Sequence, residues 1–575
     1  MDMACTEQEM KLYQIWREKA EAEDIAAELK AVEGKDDDIS DRFYRYLEFG
    51  TGGLRGVLGA GTNRMNIYTV SMAAQALADY LTAKGGVNAV AIGYDSRHKS
   101  SDFAKCAAAT LAMNGVKAYV FTELQPTPIV SYAVRELHCT AGIMITASHN
   151  PAKYNGFKCY GGDGCQMTDG AAGEVYACMQ KLDIFDDVKR GDFDALMAQG
   201  LIEWIDQSLV ERFLDAVEAS AVNPGLCRDA GLKVIYTPLC GAGNKPVRAI
   251  LKRIGIDDVT VVPEQEQPNG DFPTCPYPNP EIREAFECSL RLAETVQPDL
   301  LLATDPDSDR VGIAVKSDDG YTLMSGNEVG ALMMNYMLSC RKAQGTLPEN
   351  PVCVNTIVTS DLGSRIAEKY GCELRKVLTG FKYIGEIIGW LEADGEKERF
   401  IMGYEESYGY LCGTYARDKD AVVASMMICE MAAYYKKQGK SLLDVMHEIY
   451  EEFGYYRNRL LNYAFEGESG MKFMNGVMDG LRGNAPTEIA GEKVISVSDY
   501  KLSVMKNLED GTESEIKLPK SNVLAYKLEN GGSFIVRPSG TEPKIKVYAA
   551  AVGTPASADA RLDAYEKAAN AIMGK

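Results

Sequence analysis

The sequence predicts three similar α/β domains with mixed sheets around a common cleft, followed by a smaller C-terminal α+β domain. Three segments repeat the order strand, helix, strand, and each is followed some tens of residues later by an apolar run that ends in a polar loop. The last part of the chain has its own alternation of strands and helices and closes on two β runs around the turn "RPSGTEPK". Catalytic groups in open α/β sheets lie beyond the carboxyl ends of strands, so we expect the three polar loops to face one another.

The three repeated units begin with "NAVAIGYDSR", "LKVIYTPLCGAG" and "PVCVNTIV", and their polar loops are "GIMITASHNP", "DLLLATDPDSDR" and "RFIMGYEESYG". Before them, "KLYQIWREKAEAEDIAAELKAVE" alternates charged and apolar residues at helical spacing, which predicts an N-terminal helical extension. The predicted divisions are the extension over 1–45, domain I over 46–205, domain II over 206–322, domain III over 323–455 and domain IV over 456–575.

The composition of the chain limits the kinds of binding partner that we expect. The chain of 575 residues has a formal net charge of −21, which argues against nucleic acid or an anionic membrane as the main partner, because both bind Lys/Arg patches. We expect no signal peptide and no membrane span, since no stretch approaches about 18 consecutive apolar residues. The 15 scattered cysteines have no C-x-x-C spacing, and the four histidines make a zinc site improbable. We therefore expect a reduced, cytoplasmic protein.

The loop "DPDSDR" predicts a metal site. Asp305, Asp307 and Asp309 follow the apolar run "LLLAT", and in extended backbone such alternate side chains share one face. Three carboxylates at the end of a buried strand repel one another unless a cation is present, whereas Mg²⁺ suits carboxylates together with a phosphate oxygen. A solvated acidic turn is the alternative. An EF-hand is excluded, because its loop requires Gly at Arg310 and Glu at Lys316.

The loop "TASHNP" presents Ser148, which is a poor nucleophile unless a base or a cation assists it. His149 does not indicate a Ser-His hydrolase, because neighbouring side chains in a strand point apart and the sequence has no G-x-S-x-G elbow. A serine that faces a Mg²⁺ site suggests phosphoryl chemistry instead. Lys158, ten residues further on, is placed to neutralise phosphate or to move a proton.

Two further loops carry polar groups suited to a sugar phosphate. In "RPSGTEPK", Arg537 offers a planar fork, Ser539 and Thr541 offer hydroxyls, and Gly540 lets backbone N–H groups form an anion nest. A simple hairpin turn would not need all these donors, so we predict phosphate binding. In "GYEESYGY", Glu405 and Ser407 are spaced to accept hydrogen bonds from sugar hydroxyls, although a helix N-terminus also favours these residue types.

The motifs "TASHNP", "DPDSDR", "GYEES" and "RPSGTEPK" together resemble the α-D-phosphohexomutase superfamily, in which they occur in this order. The resemblance covers residues from about 46 to 575. "FGTGGLRG", "TGFKYIGE" and "ARDKDAV" resemble most closely the branch of bacterial phosphoglucomutases and phosphopentomutases. Two departures from other members, Thr51-Gly-Gly in the first motif and Tyr408 in the sugar loop, disfavour a mannose substrate.

The resemblance implies a role for each matched residue. Ser148 would be the phosphoserine, with Asp305, Asp307 and Asp309 holding Mg²⁺ together with its phosphate. Lys158, His149 and Arg55 would assist catalysis. The further residues that the resemblance places around the substrate are Arg97, Arg310, Lys382, Glu405, Ser407, Lys419, Arg537, Ser539, Gly540 and Thr541.

The implied reaction interconverts α-D-glucose 1-phosphate and glucose 6-phosphate through the phosphoserine enzyme and a glucose 1,6-bisphosphate intermediate, which would also be the activator. A phosphopentomutase or phosphomannomutase would use the same mechanism, and both stay open. A Mg²⁺-dependent sugar-phosphate phosphatase with Asp305 as nucleophile would leave "TASHNP" and "RPSGTEPK" unexplained. A silent phosphosugar sensor has no support in the sequence, and the oligomeric state is left open.

Overall fold

The structure, a computed structural model, describes residues 5–50, 52–465, 467–539 and 544–575. Its backbone contacts define two compact units: the first unit comprises Met1–Val329 and Phe381–Ser441, and the second comprises Gly330–Gly380 and Leu442–Lys575. Over the described residues, no helix combines the length and the apolar character needed to cross a bilayer.

Three helices precede the first sheet: α1 (Glu7–Lys19), α2 (Glu23–Ala31) and α3 (Asp36–Phe43). Helix α1 begins at a capping box in which Thr6 and Glu9 exchange hydrogen bonds between side chain and backbone. The ring of Trp16 is 1% exposed and makes edge-to-face contacts with Phe43 and Tyr68. The N-terminal segment is therefore helical and shares the core of the sheet that follows it.

The first sheet has the strand order β1-β5-β4-β2-β3-β6. Strands β4, β2, β3 and β6 run parallel, while β5 runs antiparallel to both β4 and β1. Strand β4 is buried along its whole length, which explains its unbroken apolar sequence. The elements of this region are β1 (Gly53–Val57), α4 (Ile67–Lys84), β2 (Ala89–Tyr94), α5 (Ser100–Met113), β3 (Lys117–Phe121), α6 (Thr127–Glu136), β4 (Ala141–Ile145), β5 (Tyr154–Gly161), α7 (Asp169–Met179), α8 (Phe193–Ala198) and β6 (Ile202–Ile205).

The second sheet has the order β11-β10-β9-β7-β8. Strands β9, β7 and β8 are parallel, and the hairpin β10-β11 is added antiparallel to β9. Its elements are α9 (Ser208–Glu218), β7 (Val234–Thr237), α10 (Asn244–Arg253), β8 (Val259–Val261), α11 (Pro263–Glu266), α12 (Glu287–Val296), β9 (Leu300–Thr304), β10 (Val311–Ser317) and β11 (Gly320–Met324), with 3-10 turns at Leu226–Asp229 and Arg283–Phe286.

The third repeat is divided between the two units. In the second unit, β12 and β13 pair in parallel around α14, and in the first unit β14 and β15 form an antiparallel pair followed by the buried helix α16. The elements are α13 (Gly326–Gln344), β12 (Val352–Thr356), α14 (Leu362–Tyr370), β13 (Glu373–Val377), α15 (Phe381–Ala393), the 3-10 turn Lys397–Arg399, β14 (Phe400–Glu405), β15 (Gly409–Cys412) and α16 (Ala421–Lys436).

The C-terminal part of the second unit is built on an antiparallel sheet of order β16-β23-β22-β21-β18-β19-β20, with β17 paired to β18. The rings of Phe534 and Tyr565 lie in its core and are fully buried. Its elements are α17 (Leu442–Phe453), β16 (Tyr455–Ala464), α18 (Gly467–Gly483), β17 (Glu488–Ile489), β18 (Glu492–Asp499), β19 (Val504–Asn507), β20 (Glu513–Glu515), β21 (Leu524–Leu528), β22 (Ser533–Pro538), β23 (Lys544–Gly553) and α19 (Pro555–Ile572).

The predicted fold class is confirmed: three α/β regions with mixed sheets precede a region with a strand-rich sheet and helices. The structure adds one regularity that the sequence did not indicate. Each of the three polar loops joins an antiparallel pair of strands, namely β4 to β5, β9 to β10 and β14 to β15. The loops therefore occupy the same place in each repeat.

Candidate functional site

The serine loop follows the buried strand β4 and reverses the chain into β5. Ser148 has a backbone φ of +54°, in the left-handed region that non-glycine residues rarely adopt. Its backbone N–H donates to the Oγ1 of Thr146 at 2.8 Å, and the residue is only 4% exposed. The turn thus presents the hydroxyl of Ser148 in one fixed direction.

The aspartate loop joins β9 to β10, where Thr304 lies opposite Val311. The carboxylates of Asp305, Asp307 and Asp309 are buried and offer oxygens that all lie within 4.8 Å of one another. The expectation that extended backbone brings them together is wrong. The segment is a turn with Ser308 at a φ of +50°, and the reversal of the chain makes the three side chains converge.

The serine and aspartate loops meet. The hydroxyl of Ser148 donates to Oδ2 of Asp305 at 2.9 Å and lies 3.1 Å from Nδ1 of His149. The sequence argument that adjacent Ser and His side chains point apart does not hold here, because the left-handed turn at Ser148 breaks the alternation of a strand. One hydroxyl is therefore in contact with both an imidazole and a member of the carboxylate cluster.

Two lysines neutralise the cluster. Nζ of Lys158 lies 2.8 Å from Asp307 and 3.3 Å from Asp309, and Nζ of Lys419 lies 3.2 Å from Asp309. Although burial disfavours their charged forms, Asp307 and Asp309 raise the pKa of Lys158, and Asp309 with Asp418 raises the pKa of Lys419. Both amines are therefore held as cations.

The cluster fits a hard divalent cation. Oδ1 of Asp307 and Oδ1 of Asp309 are buried and have no hydrogen-bond partner among the described atoms. Burial, together with the neighbouring carboxylates of Asp307 and Asp309, raises the pKa of Asp305 well above its usual value. A bound cation would engage the unpartnered oxygens and relieve this repulsion, and an all-carboxylate donor set suits Mg²⁺.

Arg310 and Arg55 supply further positive charge. Nη1 of Arg310 donates to Oε1 of Glu281 at 2.6 Å and to the carbonyl of Ser407 at 2.9 Å, so this side chain joins the aspartate loop to the sugar loop. Arg55 is an exposed residue of β1 that lies opposite Gly156 of β5, two residues from Lys158. Both arginines are thus carried by the same framework as the two loops.

The remaining predicted residues lie in different surroundings. Lys382, near the start of α15, pairs with Asp169 at 2.6 Å and is 5% exposed. Glu405 ends β14, is buried, and helps raise the pKa of both Lys419 and Arg310. Ser407 lies half-buried in the turn that follows.

The predicted phosphate loop lies in the second unit. Arg537 belongs to β22, and the backbone N–H of Ser539 donates to the carbonyl of Lys544 at 2.7 Å. Gly540 and Thr541 lie outside the described residues.

The structure also adds residues that the sequence analysis did not single out. Thr127, at the start of α6, donates through Oγ1 to Oδ2 of Asp307 at 2.8 Å and through its backbone N–H to the carbonyl of Asp307 at 2.8 Å. Glu281 faces Arg310. The only sequence signal for Thr127 was its position after a strand of the first repeat, which many residues share.

Arg97 approaches the site through the backbone of the serine loop. The resemblance implies that it adds positive charge near the transferring phosphate; its side chain is fully buried and lies 3.2 Å from Asp95. Its guanidinium donates to backbone carbonyls of the serine loop, including that of Ser148. Sequence could not separate these roles, because both require an arginine after the strand.

Comparison with known proteins agrees with this geometry. Four family models match the chain: phosphoglucomutase/phosphomannomutase α/β/α domain I over residues 46–184, domain II over 211–320, domain III over 325–453 and the C-terminal domain over 501–568. A phosphoglucomutase of Staphylococcus haemolyticus is 38% identical over 509 residues, which cover 88% of this chain and 90% of that protein.

Two solved structures share the fold. Parafusin, a phosphoglucomutase from Paramecium in its open form, aligns with a TM-score of 0.66 at 17% identity over 92% of this chain and 94% of that chain. The N-acetylphosphoglucosamine mutase of Aspergillus fumigatus, in complex with GlcNAc-6P and magnesium, aligns with a TM-score of 0.51 at 13% identity over 92% of this chain and 96% of that chain. With four matching domain models and close relatives over most of its length, the chain belongs to the phosphoglucomutase/phosphomannomutase family.

Proposed function

We propose that this protein is a phosphoglucomutase that interconverts α-D-glucose 1-phosphate and glucose 6-phosphate through a phosphorylated Ser148 and a glucose 1,6-bisphosphate intermediate. The observation that carries the proposal is the 2.9 Å hydrogen bond from the Ser148 hydroxyl to Asp305. It places the hydroxyl that would carry the phosphoryl group against a carboxylate cluster suited to Mg²⁺. Membership of this family makes the protein an enzyme that transfers phosphate within one substrate, and curated relatives carry the name phosphoglucomutase.

Asp305, Asp307 and Asp309 would hold Mg²⁺ together with an oxygen of the phosphate on Ser148. A bound Mg²⁺ would offset negative charge that develops on the transferring group. Lys158 and Lys419, which lie against Asp307 and Asp309, would add positive charge at the same place. The complex of the fungal N-acetylphosphoglucosamine mutase with a sugar phosphate and magnesium supports this class of ligands.

Lys158 is placed to move protons during the phosphoryl transfer. In one direction the bond from Ser148 Oγ to phosphorus breaks and a bond from a sugar hydroxyl oxygen to phosphorus forms, so the proton that the hydroxyl loses balances the proton that the Ser148 oxygen gains. The Lys158 amine, a cation between Asp307 and Asp309, would give its proton to the leaving Ser148 oxygen and take up the proton of the sugar hydroxyl. The protonated amine also stabilises the negative charge on the transferring oxygens.

The remaining predicted residues would bind the substrate. Arg55, Arg310 and His149 would contribute charge and hydrogen bonds near the transferring phosphate. Glu405 and Ser407 would accept hydrogen bonds from sugar hydroxyls, with Lys382 contributing positive charge. For the phosphate that is not transferred we propose Arg537, Ser539, Gly540 and Thr541. Glucose 1,6-bisphosphate would activate the enzyme by phosphorylating Ser148, and we place the reaction in the cytoplasm.

A coupled assay tests the proposal. Formation of glucose 6-phosphate from glucose 1-phosphate is followed with Mg²⁺ and a trace of glucose 1,6-bisphosphate, and Ser148→Ala is compared with Ser514→Ala, which removes an exposed hydroxyl from β20. We expect turnover in wild type and in Ser514→Ala, and none in Ser148→Ala. Mannose 1-phosphate and ribose 1-phosphate run as competing substrates. Absence of turnover with glucose 1-phosphate would overturn the substrate, and strong competition by ribose 1-phosphate would indicate a phosphopentomutase.

The phosphatase alternative uses Asp305 as nucleophile. Against it, the carboxylate of Asp305 already accepts hydrogen bonds from the backbone N–H groups of Asp309 and Arg310 and from the Ser148 hydroxyl. Peptide mapping of the enzyme labelled with phosphate-bearing substrate separates the two readings. Phosphate on Ser148 supports the mutase, and phosphate on Asp305 supports the phosphatase.

A further inference from the structure

We infer that Asp95, Arg97 and Thr146 form a positioning network that fixes Ser148 in the conformation required for phosphoryl transfer. The inference rests on the proposed function. None of the three residues would touch the substrate, and each acts through the backbone of the serine loop.

The register of the first sheet brings these residues together. Strands β2 and β4 run parallel with Tyr94 opposite Ile145, so Asp95 and Thr146 leave adjacent strands side by side. The backbone N–H of Asp95 donates to the carbonyl of Ile145 at 3.1 Å, which continues the sheet by one residue. The network thus begins where two neighbouring strands are still joined by a backbone hydrogen bond.

Arg97 binds the backbone carbonyl groups of the serine loop. Nη1 donates to the carbonyls of Pro151 and Tyr154, each at 3.1 Å, and Nη2 donates to those of Ser148 and Asn150. Nε lies 3.2 Å from Oδ2 of Asp95. The four Nη–H groups of the guanidinium therefore all donate to backbone carbonyls, and the Nε–H is buried against Asp95 without a hydrogen-bond partner among the described atoms.

Asp95 and Thr146 bind the same loop through the backbone N–H of Ser148. Oδ2 of Asp95 accepts a hydrogen bond from Oγ1 of Thr146 at 2.6 Å, and that oxygen accepts the backbone N–H of Ser148 at 2.8 Å. Oδ1 of Asp95 accepts from the backbone N–H of Arg97 at 3.0 Å and from the hydroxyl of Ser100 at 2.8 Å. The carbonyl of Ser148 is therefore held by Arg97 directly, and its N–H is linked to Asp95 through the hydroxyl of Thr146.

This fixation matters because the backbone of Ser148 is strained. A non-glycine residue in the left-handed region is strained and persists only when its surroundings impose that conformation. If the network is broken, Ser148 can relax to negative φ, and its Oγ leaves the position 2.9 Å from Asp305. A misplacement of about 1 Å at a reacting atom reduces the rate by roughly 100-fold.

The test compares Thr146→Val with Thr146→Ser. Valine removes the hydroxyl that links Asp95 to the Ser148 N–H, whereas serine keeps it. We expect a kcat loss of about 10- to 100-fold in Thr146→Val with little change in KM, and kcat near wild type in Thr146→Ser. The matched control is Thr110→Val on α5, where a buried threonine hydroxyl has no partner among the described atoms, and its kcat should equal that of wild type.

A crystal structure of Thr146→Val supplies a readout that is independent of activity. We expect Ser148 to have left positive φ or its Oγ to have moved away from Asp305. A Thr146→Val variant that keeps both the wild-type kcat and the Ser148 conformation overturns the inference. If Thr146→Val does not fold, Asp95→Asn takes its place with the same expectations. Inactive wild-type protein would refute the proposed function, while the Ser148 conformation in the variant would still test the network.

Discussion

The buried carboxylate of Asp420 allows a quantitative prediction about stability and pH. Asp420 is the N-cap of α16 and accepts hydrogen bonds from the backbone N–H groups of Val422 and Val423 and from the hydroxyl of Tyr415. Burial outweighs these hydrogen bonds and raises the pKa of Asp420 from 3.8 to about 6. Because the folded-state pKa is raised, Asp420 stabilises the fold most below about pH 3.8, and that contribution is lost as pH rises through about 6.

The difference of about 2 pKa units corresponds to about 3 kcal/mol, at 1.36 kcal/mol per unit. Asparagine is also a good N-cap but does not ionise, so Asp420→Asn should remove this pH dependence. The free energy of unfolding of the variant, relative to wild type, should rise by about 2 kcal/mol between pH 4 and pH 8, because part of the change has already occurred at pH 4. Groups common to both proteins cancel in this difference.

Urea unfolding at several pH values, followed by circular dichroism, measures the effect through the transition that includes α16. Asp192→Asn is the matched control, because it makes the same exchange at the N-cap of α8, where the side chain is exposed to water. Its difference from wild type should vary much less with pH. A constant difference between Asp420→Asn and wild type from pH 4 to pH 8 would refute the reasoning.

Three other changes have defined outcomes. Lys158→Met removes the cation that contacts Asp307 and Asp309, and we expect kcat in the coupled assay to fall by about 10²- to 10⁴-fold; a loss under tenfold would exclude a role in proton transfer. Asp307→Asn should weaken Mg²⁺ binding, measured by titration calorimetry, by at least about tenfold, and unchanged affinity would contradict the assigned metal site. Trp16→Ala should destabilise the first unit by about 3–5 kcal/mol because it opens a cavity among buried rings, and an unchanged melting temperature would show that the N-terminal helices do not share the core.

The sequence predicted the repeat and the chemistry of its loops better than their geometry. Strand, helix and strand follow directly from hydrophobic spacing, so the three units were visible as patterns. The convergence of the carboxylates in "DPDSDR" was expected for the wrong reason. Extended backbone was assumed, whereas each polar loop is a reversal that contains one non-glycine residue at positive φ: Ser148 at +54°, Ser308 at +50° and Tyr408 at +65°.

These three conformations could not be predicted because nothing in the local sequence favours them. Serine and tyrosine are not residue types that adopt the left-handed region readily. A distant part of the chain contributes contacts that hold the turn, as Arg97 does at the carbonyl of Ser148. The contacts of Arg97 could not be predicted either, because its partners are carbonyl groups, which every residue has and which leave no trace in a sequence.

The first unit is made of two separate segments of the chain, and this has a consequence for biosynthesis. This unit consists of Met1–Val329 and Phe381–Ser441, so the ribosome makes 51 residues of the second unit, Gly330–Gly380, before the first is complete. Lys419, which neutralises Asp309, is translated more than a hundred residues after its partner. During that interval Asp309 lacks Lys419, so the aspartate loop cannot reach the charge balance of the folded site until the chain has passed that lysine.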